Sequence, residues 1–309
     1  MNKLHFCLGF IVEILKRIYY FLVHTNLLIA LAAIAQCALT YMILQLPINP
    51  AILIVEGTTT LMLYNLSLYL SLPRDTEKSP YLRTRWIGRN MPIFWGLSFL
   101  AFIICLFALW QLHLITWVFL GVIGLISIAY AVPLVKFKGK RLGLRQVPGL
   151  KVFYIAVIWS LSSVGLPVLE LYANGEAIDW YMANYLGIVK ILFLLLCTLP
   201  FDIRDYEQDV QYNLKTLPIL LGKKKAIGLS YGMGVIHVLL ISLSPYSDPA
   251  KTGMVLTSIF VLLLFKALIF TSKKHYHHVY LLDLALIVQW LIVWICLSWR
   301  ISYLIFSLT

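Results

Sequence analysis

Four acidic residues, Asp202, Asp205, Glu207 and Asp209, lie within eight positions of the segment LPFDIRDYEQDVQYNLKTLPILLG in an otherwise strongly apolar chain. On a helix, which advances about 100° per residue, the three aspartates fall within about 60° of one another, whereas Glu207 points away. Carboxylates on one stripe repel each other unless a cation lies among them, and hard divalent ions such as magnesium take oxygen ligands. The spacing therefore predicts a metal site.

The alternative for these acids is pairing with neighbouring cations at a solvated helix end. Arg204, Lys215 and the run Lys223 to Lys225 are close enough in sequence to supply such partners. Asn213 and Pro218 disfavour a continuing helix, so we expect the acidic helix to end shortly after Asp209.

The composition excludes a soluble globular protein. The 309 residues are 61% hydrophobic and 12% charged, with a mean hydropathy of +0.88, whereas about a quarter of the residues in soluble domains are charged. The five scattered cysteines give neither a disulfide framework nor a zinc-binding spacing. We predict an all-α integral membrane protein in which residues 1–309 form a single polytopic domain.

Apolar runs of about 17 to 25 residues, bounded by charges or helix breakers, predict transmembrane helices. The sequence contains nine such runs, and the first and last are long enough to tilt or to extend past the membrane surface. The predicted spans lie near 19–46, 51–72, 91–111, 115–135, 151–170, 183–201, 226–244, 252–271 and 279–305.

Most of the 25 Lys and Arg residues lie in the N-terminal segment and in alternate loops between these spans. Because cytoplasmic loops carry an excess of positive charge, we expect a cytoplasmic N-terminus, an external C-terminus and a cytoplasmic acidic segment. The protein would be a multi-pass protein of the cell (cytoplasmic or inner) membrane, in contact with the lipid bilayer. The net charge of +12 then reflects topology, so a nucleic-acid partner is not expected.

The predicted cytoplasmic ends of spans two and four add further polar residues. Asn65 lies near the end of span two and either serves the site or joins two helices. Arg83 and Arg85 follow, and guanidinium groups suit either phosphate oxygens or lipid headgroups. The residues that end span four and open a strongly basic loop, where an anionic ligand is expected, include Tyr130, Lys136 and Lys138.

Ionisable residues also occur within the predicted spans, where they are costly and often functional. Glu56 and Lys190 are expected toward the outer leaflet, away from the acidic segment. Lys266 is long enough to reach the membrane surface, and Asp283 lies early in the last span. The sequence alone assigns no role to these four residues.

These features resemble the UbiA family of intramembrane aromatic prenyltransferases. The resemblance is strongest at the D-x-x-x-D pair Asp205 and Asp209, followed by the K-T-L-P segment 215–218 and by Leu221-Gly222. It extends to Tyr130, Pro133 and Lys136 after span four. Family members have nine membrane helices and aspartate-rich motifs at the cytoplasmic ends of spans two and six.

The resemblance implies a magnesium-assisted transfer of a prenyl group from a polyprenyl diphosphate to a lipophilic acceptor. It implies that Asp205 and Asp209 bind Mg²⁺ with Asp202 as an auxiliary ligand, and that Asn65 orients the metal or its water. The implied diphosphate contacts are Lys136, Lys138, Arg83, Arg85 and Tyr130.

The first aspartate-rich motif of the family, N-D-x-x-D-x-x-x-D, is degenerate in this chain. If Asn65 marks its start, Leu66, Tyr69 and Pro73 stand at the acidic positions, and none of them binds a metal. Asp75 and Glu77 either substitute for these acids, or a single metal site remains, or the chemistry is lost. The alternative function is therefore a catalytically silent isoprenoid-binding or assembly protein, and a transporter is a weaker third possibility.

Overall fold

The computed structural model shows a bundle of apolar helices with one short β-hairpin. The structure describes residues 2–131, 135–137, 140–142, 149–211, 215–270 and 276–308, and the side chains of 13–129, 149–207, 209–210, 215–270 and 278–299. The strands are β1 (Val135–Phe137) and β2 (Lys140–Leu142), which pair antiparallel. The α-helices are α1 (Asn2–His24), α2 (Leu27–Ile43), α3 (Pro50–Leu70), α4 (Leu82–Arg89), α5 (Met91–Leu109), α6 (Leu114–Ala131), α7 (Leu150–Ser160), α8 (Leu166–Ala173), α9 (Trp180–Arg204), α10 (Tyr206–Gln211), α11 (Leu217–Leu221), α12 (Lys223–Ser242), α13 (Asp248–Leu264) and α14 (Leu281–Leu308).

Apolar helices occupy the positions of the predicted spans. Among the described residues, seven helical segments are long and apolar enough to cross a membrane, and the bent pair α1 and α2 would make eight. The apolar segment of α6, Leu114–Ala129, is shorter than this length requires. The all-α membrane architecture is confirmed, and the count of nine spans stays a prediction.

The predicted first span, 19–46, is not one continuous helix. Helices α1 and α2 meet at an angle of 82°. Between them, Asn26 adopts a left-handed conformation with φ of 63°, which asparagine tolerates better than most residues. The Thr25 hydroxyl donates to the Phe21 carbonyl at 2.7 Å, so it satisfies a carbonyl at the end of α1. An apolar run alone does not reveal this bend.

Two π-helical turns interrupt the predicted spans, one at Leu161–Gly165 between α7 and α8 and one at Phe265–Ile269 after α13. Helix α9 packs against α7 and α12, α14 packs against α2 and α13, and α3 packs against α2 and α5. The main core is formed by α2, α7, α9, α12 and α14, with Leu196, Leu199 and Phe265 fully buried in it. This packing holds the ends of α3, α4, α7, α9 and α14 around one cavity.

The termini of α9 explain where the acidic residues lie. The Asp179 carboxylate caps the first turn by accepting from the Met182 amide at 3.0 Å. The helix ends at Arg204, and Asp205 follows as the residue between α9 and α10. Asp202 therefore lies on α9, Asp205 between the two helices and Asp209 on α10, which corrects the expectation of one helical stripe.

Candidate functional site

A cavity of about 260 Å³ opens at the end of the bundle where α9 ends and α7 begins, and we call it the mouth cavity. Its aromatic lining includes Tyr64, Trp159, Phe201 and Tyr280. Its charged lining consists of Arg83, Lys151, Asp202, Arg204, Asp205 and Asp283. Both signs of charge therefore converge on a space whose remaining walls are apolar.

Two ion pairs tie the acidic residues of the mouth cavity to its cations. Lys151 Nζ lies 2.5 Å from Asp202 Oδ1, and the two side chains are only 16% and 3% exposed. Arg204 donates to both carboxylate oxygens of Asp205, at 2.8 and 2.9 Å. Pairing with cations thus accounts for part of this cluster, although the partner of Asp202 is Lys151 of α7 and not Lys215.

A divalent ion such as Mg²⁺ requires oxygen ligands, which the carboxylates of this region could supply. No group of three His, Cys, Asp or Glu in the described part of the chain is arranged to hold a metal ion. Two buried carboxylate oxygens, Asp202 Oδ2 and Asp209 Oδ2, nevertheless have no hydrogen-bond partner among the described residues. Magnesium is often bound by one or two carboxylates together with substrate phosphates, so these oxygens fit such an ion. Asp205 as a ligand stays a prediction.

Two guanidinium groups flank one tyrosine at the rim of the cavity. Arg83 and Arg204 lie 5.7 and 5.4 Å from the centroid of the Tyr280 ring, within the range of cation–π attraction. Asp283, three residues after Tyr280, is close enough to both arginines for an electrostatic interaction with each. This arrangement keeps two cations from α4 and α9 at the cavity despite their mutual repulsion.

A chain of side-chain hydrogen bonds connects Asn65 to Arg83. Asn65 donates to Ser98 Oγ and accepts from Asn26 Nδ2, both at 2.8 Å. Asn26 Oδ1 in turn accepts from Arg83 Nη2. Asn65 is buried and is not among the described residues that line the mouth cavity. The observed contacts hold helices together and fix Arg83, while the predicted role of orienting a metal remains a prediction.

Asp75 and Glu77, the acids that could have replaced the degenerate first motif, lie at the surface. Asp75 pairs with Lys78 at 2.9 Å, and Glu77 pairs with Arg89 at 2.7 Å. The hydrogen bond from Arg89 holds the pKa of the Glu77 carboxyl below its ordinary value. Neither acid is among the described residues that line the mouth cavity.

The other residues predicted to contact a diphosphate are placed differently. Arg85 donates to the Ser79 carbonyl at 2.5 Å and is not among the described residues that line the cavity. Tyr130 lies in the last turn of α6 and Lys136 lies in β1, but their side chains are outside the described residues, as is the whole of Lys138. Their roles stay predictions.

A second, larger cavity of about 480 Å³ adjoins the mouth cavity between α3, α6 and α7, and we call it the apolar groove. Its apolar lining includes Leu63, Ile123 and Ile158. The four residues that line both cavities are Tyr64, Lys151, Ile155 and Trp159. A charged cavity and an apolar one therefore lie next to each other.

Sequence reasoning gave no role in the site to Lys151, Asn26 or Tyr280. Lys151 was visible as one basic residue of the loop before α7, but the sequence does not show that it meets Asp202. Asn26 is a polar residue inside a predicted apolar span, and that interruption is a signal that could have been used. Nothing in the sequence distinguishes Tyr280 from the other tyrosines.

Comparisons with known proteins show the same fold across the chain. An apo UbiA homologue from Aeropyrum pernix matches 90% of this chain and 98% of its own, with a TM-score of 0.60 at 15% identity. A UbiA homologue from Archaeoglobus fulgidus, bound to GPP and Mg²⁺, matches 90% of this chain and 99% of its own, with a TM-score of 0.58 at 12% identity. These similarities confirm the UbiA-type fold, and at such identities they show the fold alone.

Sequence similarity is local. A digeranylgeranylglyceryl phosphate synthase from Pyrococcus abyssi is 36% identical over 73 residues, which is 24% of this chain and 24% of that protein. No protein-family model matches the sequence.

Proposed function

We propose that this protein is a UbiA-type prenyltransferase that moves a prenyl group from a polyprenyl diphosphate to a lipophilic acceptor with the assistance of Mg²⁺. The observation that supports this most is that the charged mouth cavity adjoins the apolar groove and shares four lining residues with it. A prenyl diphosphate has the same two parts, an anionic head and an apolar chain. The proposal takes further support from the UbiA homologue that is bound to GPP and Mg²⁺.

The cations of the mouth cavity would bind the diphosphate. Three cations reach the cavity from three different helices, namely Arg83, Lys151 and Arg204. Their positive charges would stabilise the negative charge that develops on the departing diphosphate. Asp202 and Asp209 would hold Mg²⁺, which when bound polarises phosphate oxygens and neutralises part of their charge. The charge of the bound ion would also offset the mutual repulsion of these two carboxylates.

The aromatic residues at the junction of the two cavities would face the reacting carbon. Tyr64 and Trp159 pack edge to face with ring centroids 6.4 Å apart, and both line the two cavities. When the allylic C–O bond breaks, its electron pair leaves with the diphosphate and a carbocation remains, which aromatic faces stabilise. The acceptor then forms the new bond and releases a proton, which one of the carboxylates that line the mouth cavity would receive.

The test is an incubation of the purified protein with Mg²⁺, labelled prenyl diphosphates and membrane lipid acceptors. We expect diphosphate release, and we expect Asp209→Asn to weaken Mg²⁺-dependent donor binding at least about tenfold because a charged ligand is lost. Glu207→Gln is the matched control, since Glu207 is exposed on the same short helix. Failure to release diphosphate from any donor with any acceptor would contradict the enzymatic proposal.

The second candidate is a catalytically silent isoprenoid-binding or assembly protein of the same fold. It is favoured by the ion pairs that already neutralise Asp202 and Asp205, and by the apolar residues at the positions of the first acidic motif. Binding of prenyl diphosphates without diphosphate release would support this candidate.

A further inference from the structure

The outer end of the apolar groove is formed by a buried ionisable residue, which is unusual for a cavity lined mostly by apolar side chains. Glu56 lines the groove and is only 2% exposed. Ser162 Oγ, also in the lining, donates to Glu56 Oε1 at 2.8 Å. An ionisable group buried within a membrane span is costly and calls for a functional explanation.

The π-helical turn Leu161–Gly165 places the hydrogen-bonding partners at this end. It carries Ser162, which faces Glu56, and Ser163, whose hydroxyl accepts from Lys190 Nζ at 3.4 Å. Single π-helical turns inside α-helices are rare and occur often at functional sites. The two adjacent serines of this turn therefore contact different groups, Ser162 the side chain of Glu56 and Ser163 that of Lys190.

Lys190 supports the same end of the groove from behind. Its Nζ donates to Thr40 Oγ1 at 2.7 Å and to the Gln36 carbonyl. Lys190 is 3% exposed and is not among the described residues that line the groove. Lys190 therefore anchors the π-helical turn through Ser163, and the neighbouring Ser162 holds Glu56 directly.

The protein is closely packed beyond Glu56. Ile52, Val55 and Leu166 are fully buried, and they belong to one hydrophobic cluster with Leu112 near the start of α6. None of these four residues is among the described residues that line the groove. Along α3, Tyr64 and Glu56 are eight residues apart, a rise of about 12 Å.

We propose that Glu56, held by Ser162, limits the length of the isoprenoid chain that the apolar groove accepts. This inference rests on the proposed function, because it requires a prenyl diphosphate whose head lies in the mouth cavity. A chain that ends short of Glu56 gains from burial, whereas a longer chain must press apolar carbon against a carboxylate that has no room to withdraw. Glu56 is thereby a specificity-determining residue at the far end of the donor site.

The experiment measures binding of geranyl, farnesyl and geranylgeranyl diphosphate to the full-length protein in lipid nanodiscs. We expect Glu56→Ala to shift the preferred chain toward greater length and to change the ratio of affinities for adjacent lengths at least about tenfold. Glu56→Gln keeps the size and the acceptor oxygen, so it should retain the preference of the unsubstituted protein. Identical length profiles in all three proteins would overturn the inference.

A second pair of variants tests the groove without removing the buried charge. Thr59 lines the groove, whereas Thr58, one residue earlier on α3, is not among the described residues that do. We expect Thr59→Leu to shift the preference toward shorter chains and Thr58→Leu to leave it unchanged. Equal profiles for both variants would overturn the inference even if Glu56→Ala does not fold.

The two proposals fail in different ways. Binding of prenyl diphosphates with a length profile that Thr59→Leu shifts and Glu56→Ala leaves unchanged would contradict the role of Glu56 alone. Absence of binding for every chain length in the unsubstituted protein would contradict both.

Discussion

At the scale of single residues, a chain of side-chain hydrogen bonds fixes an arginine that lines the mouth cavity. Arg83 reaches the mouth cavity with its guanidinium bonded to Asn26, and Asn26 is bonded in turn to Asn65. A long arginine side chain loses considerable freedom when it is fixed, so a pre-formed contact lowers the entropic cost of ligand binding. We therefore expect Asn65 to affect ligand binding through Arg83.

The first prediction concerns Asn65→Ala. The substitution removes the partners of Asn26 and Ser98, so we expect a loss of about 1–3 kcal/mol in stability and a donor affinity about tenfold weaker. The Mg²⁺ concentration for half-maximal donor binding should not change. Donor titrations at several Mg²⁺ concentrations, together with thermal unfolding in detergent, measure both effects.

Asn174→Ala is a suitable control because Asn174 also forms hydrogen bonds, with Glu170, at the opposite end of the bundle. It should leave donor affinity unchanged. If Asn65→Ala instead raises the Mg²⁺ requirement at constant donor affinity, Asn65 serves the metal, as the sequence resemblance implies.

At the scale of helices, close approach between α13 and α14 supports the helix that carries Asp283. A Cβ atom at Gly253 would lie 2.7 Å from Val293 Cα, so the two backbones are nearly in contact. Small residues at such crossings allow helices to pack tightly within a membrane. The position of the last helix, and with it one wall of the mouth cavity, depends on this glycine.

The second prediction compares two glycine substitutions. Gly253→Ala must separate α13 from α14 and should cost about 1–3 kcal/mol in stability, or more. Gly232→Ala, in α12, meets no described atom within 4 Å and should be neutral or stabilising by up to about 1 kcal/mol through helix propensity. The unfolding midpoints of both variants in detergent test this difference, and equal midpoints would contradict the described packing of α14.

At the scale of the whole molecule, the cations of the mouth cavity lie at one end of the bundle. Arg83, Lys151 and Arg204 approach the cavity where α9 ends, and Lys223 to Lys225 begin α12 near the same end. The positive-inside rule predicts that this end is cytoplasmic, where a water-soluble diphosphate leaving group would be released.

The third prediction tests this orientation with single cysteine substitutions. Lys224 and Asp248 are exposed near opposite ends of α12, the former at its start and the latter after its end. We expect a membrane-impermeant thiol reagent to label Lys224→Cys only from the cytoplasmic side and Asp248→Cys only from the outside. The unsubstituted chain gives the background labelling, because Cys37, Cys105 and Cys197 are buried whereas Cys296 is partly exposed. The reverse labelling pattern would show the opposite topology.

The sequence by itself determined the features that depend on local composition. Apolar runs indicated where the membrane helices lie, because a span must bury a continuous stretch of apolar side chains. The closely spaced acids indicated a helix end, although α9 ends at Arg204 and not after Asp209. The motif around Asp205 and Asp209, together with the stretch after span four and the number of spans, predicted the UbiA-type fold. Each of these signals is contained in a short segment of the sequence.

Only the tertiary structure decided which groups meet. Lys151 and Asp202 are 51 positions apart, and Asn26 and Asn65 are 39 apart, so their contacts follow from the packing of whole helices. The bend at Asn26 and the π-helical turn that brings Ser162 to Glu56 depend likewise on partners in other helices. Buried polar groups in a membrane must find partners inside the protein, and a single sequence does not state which partner each one finds.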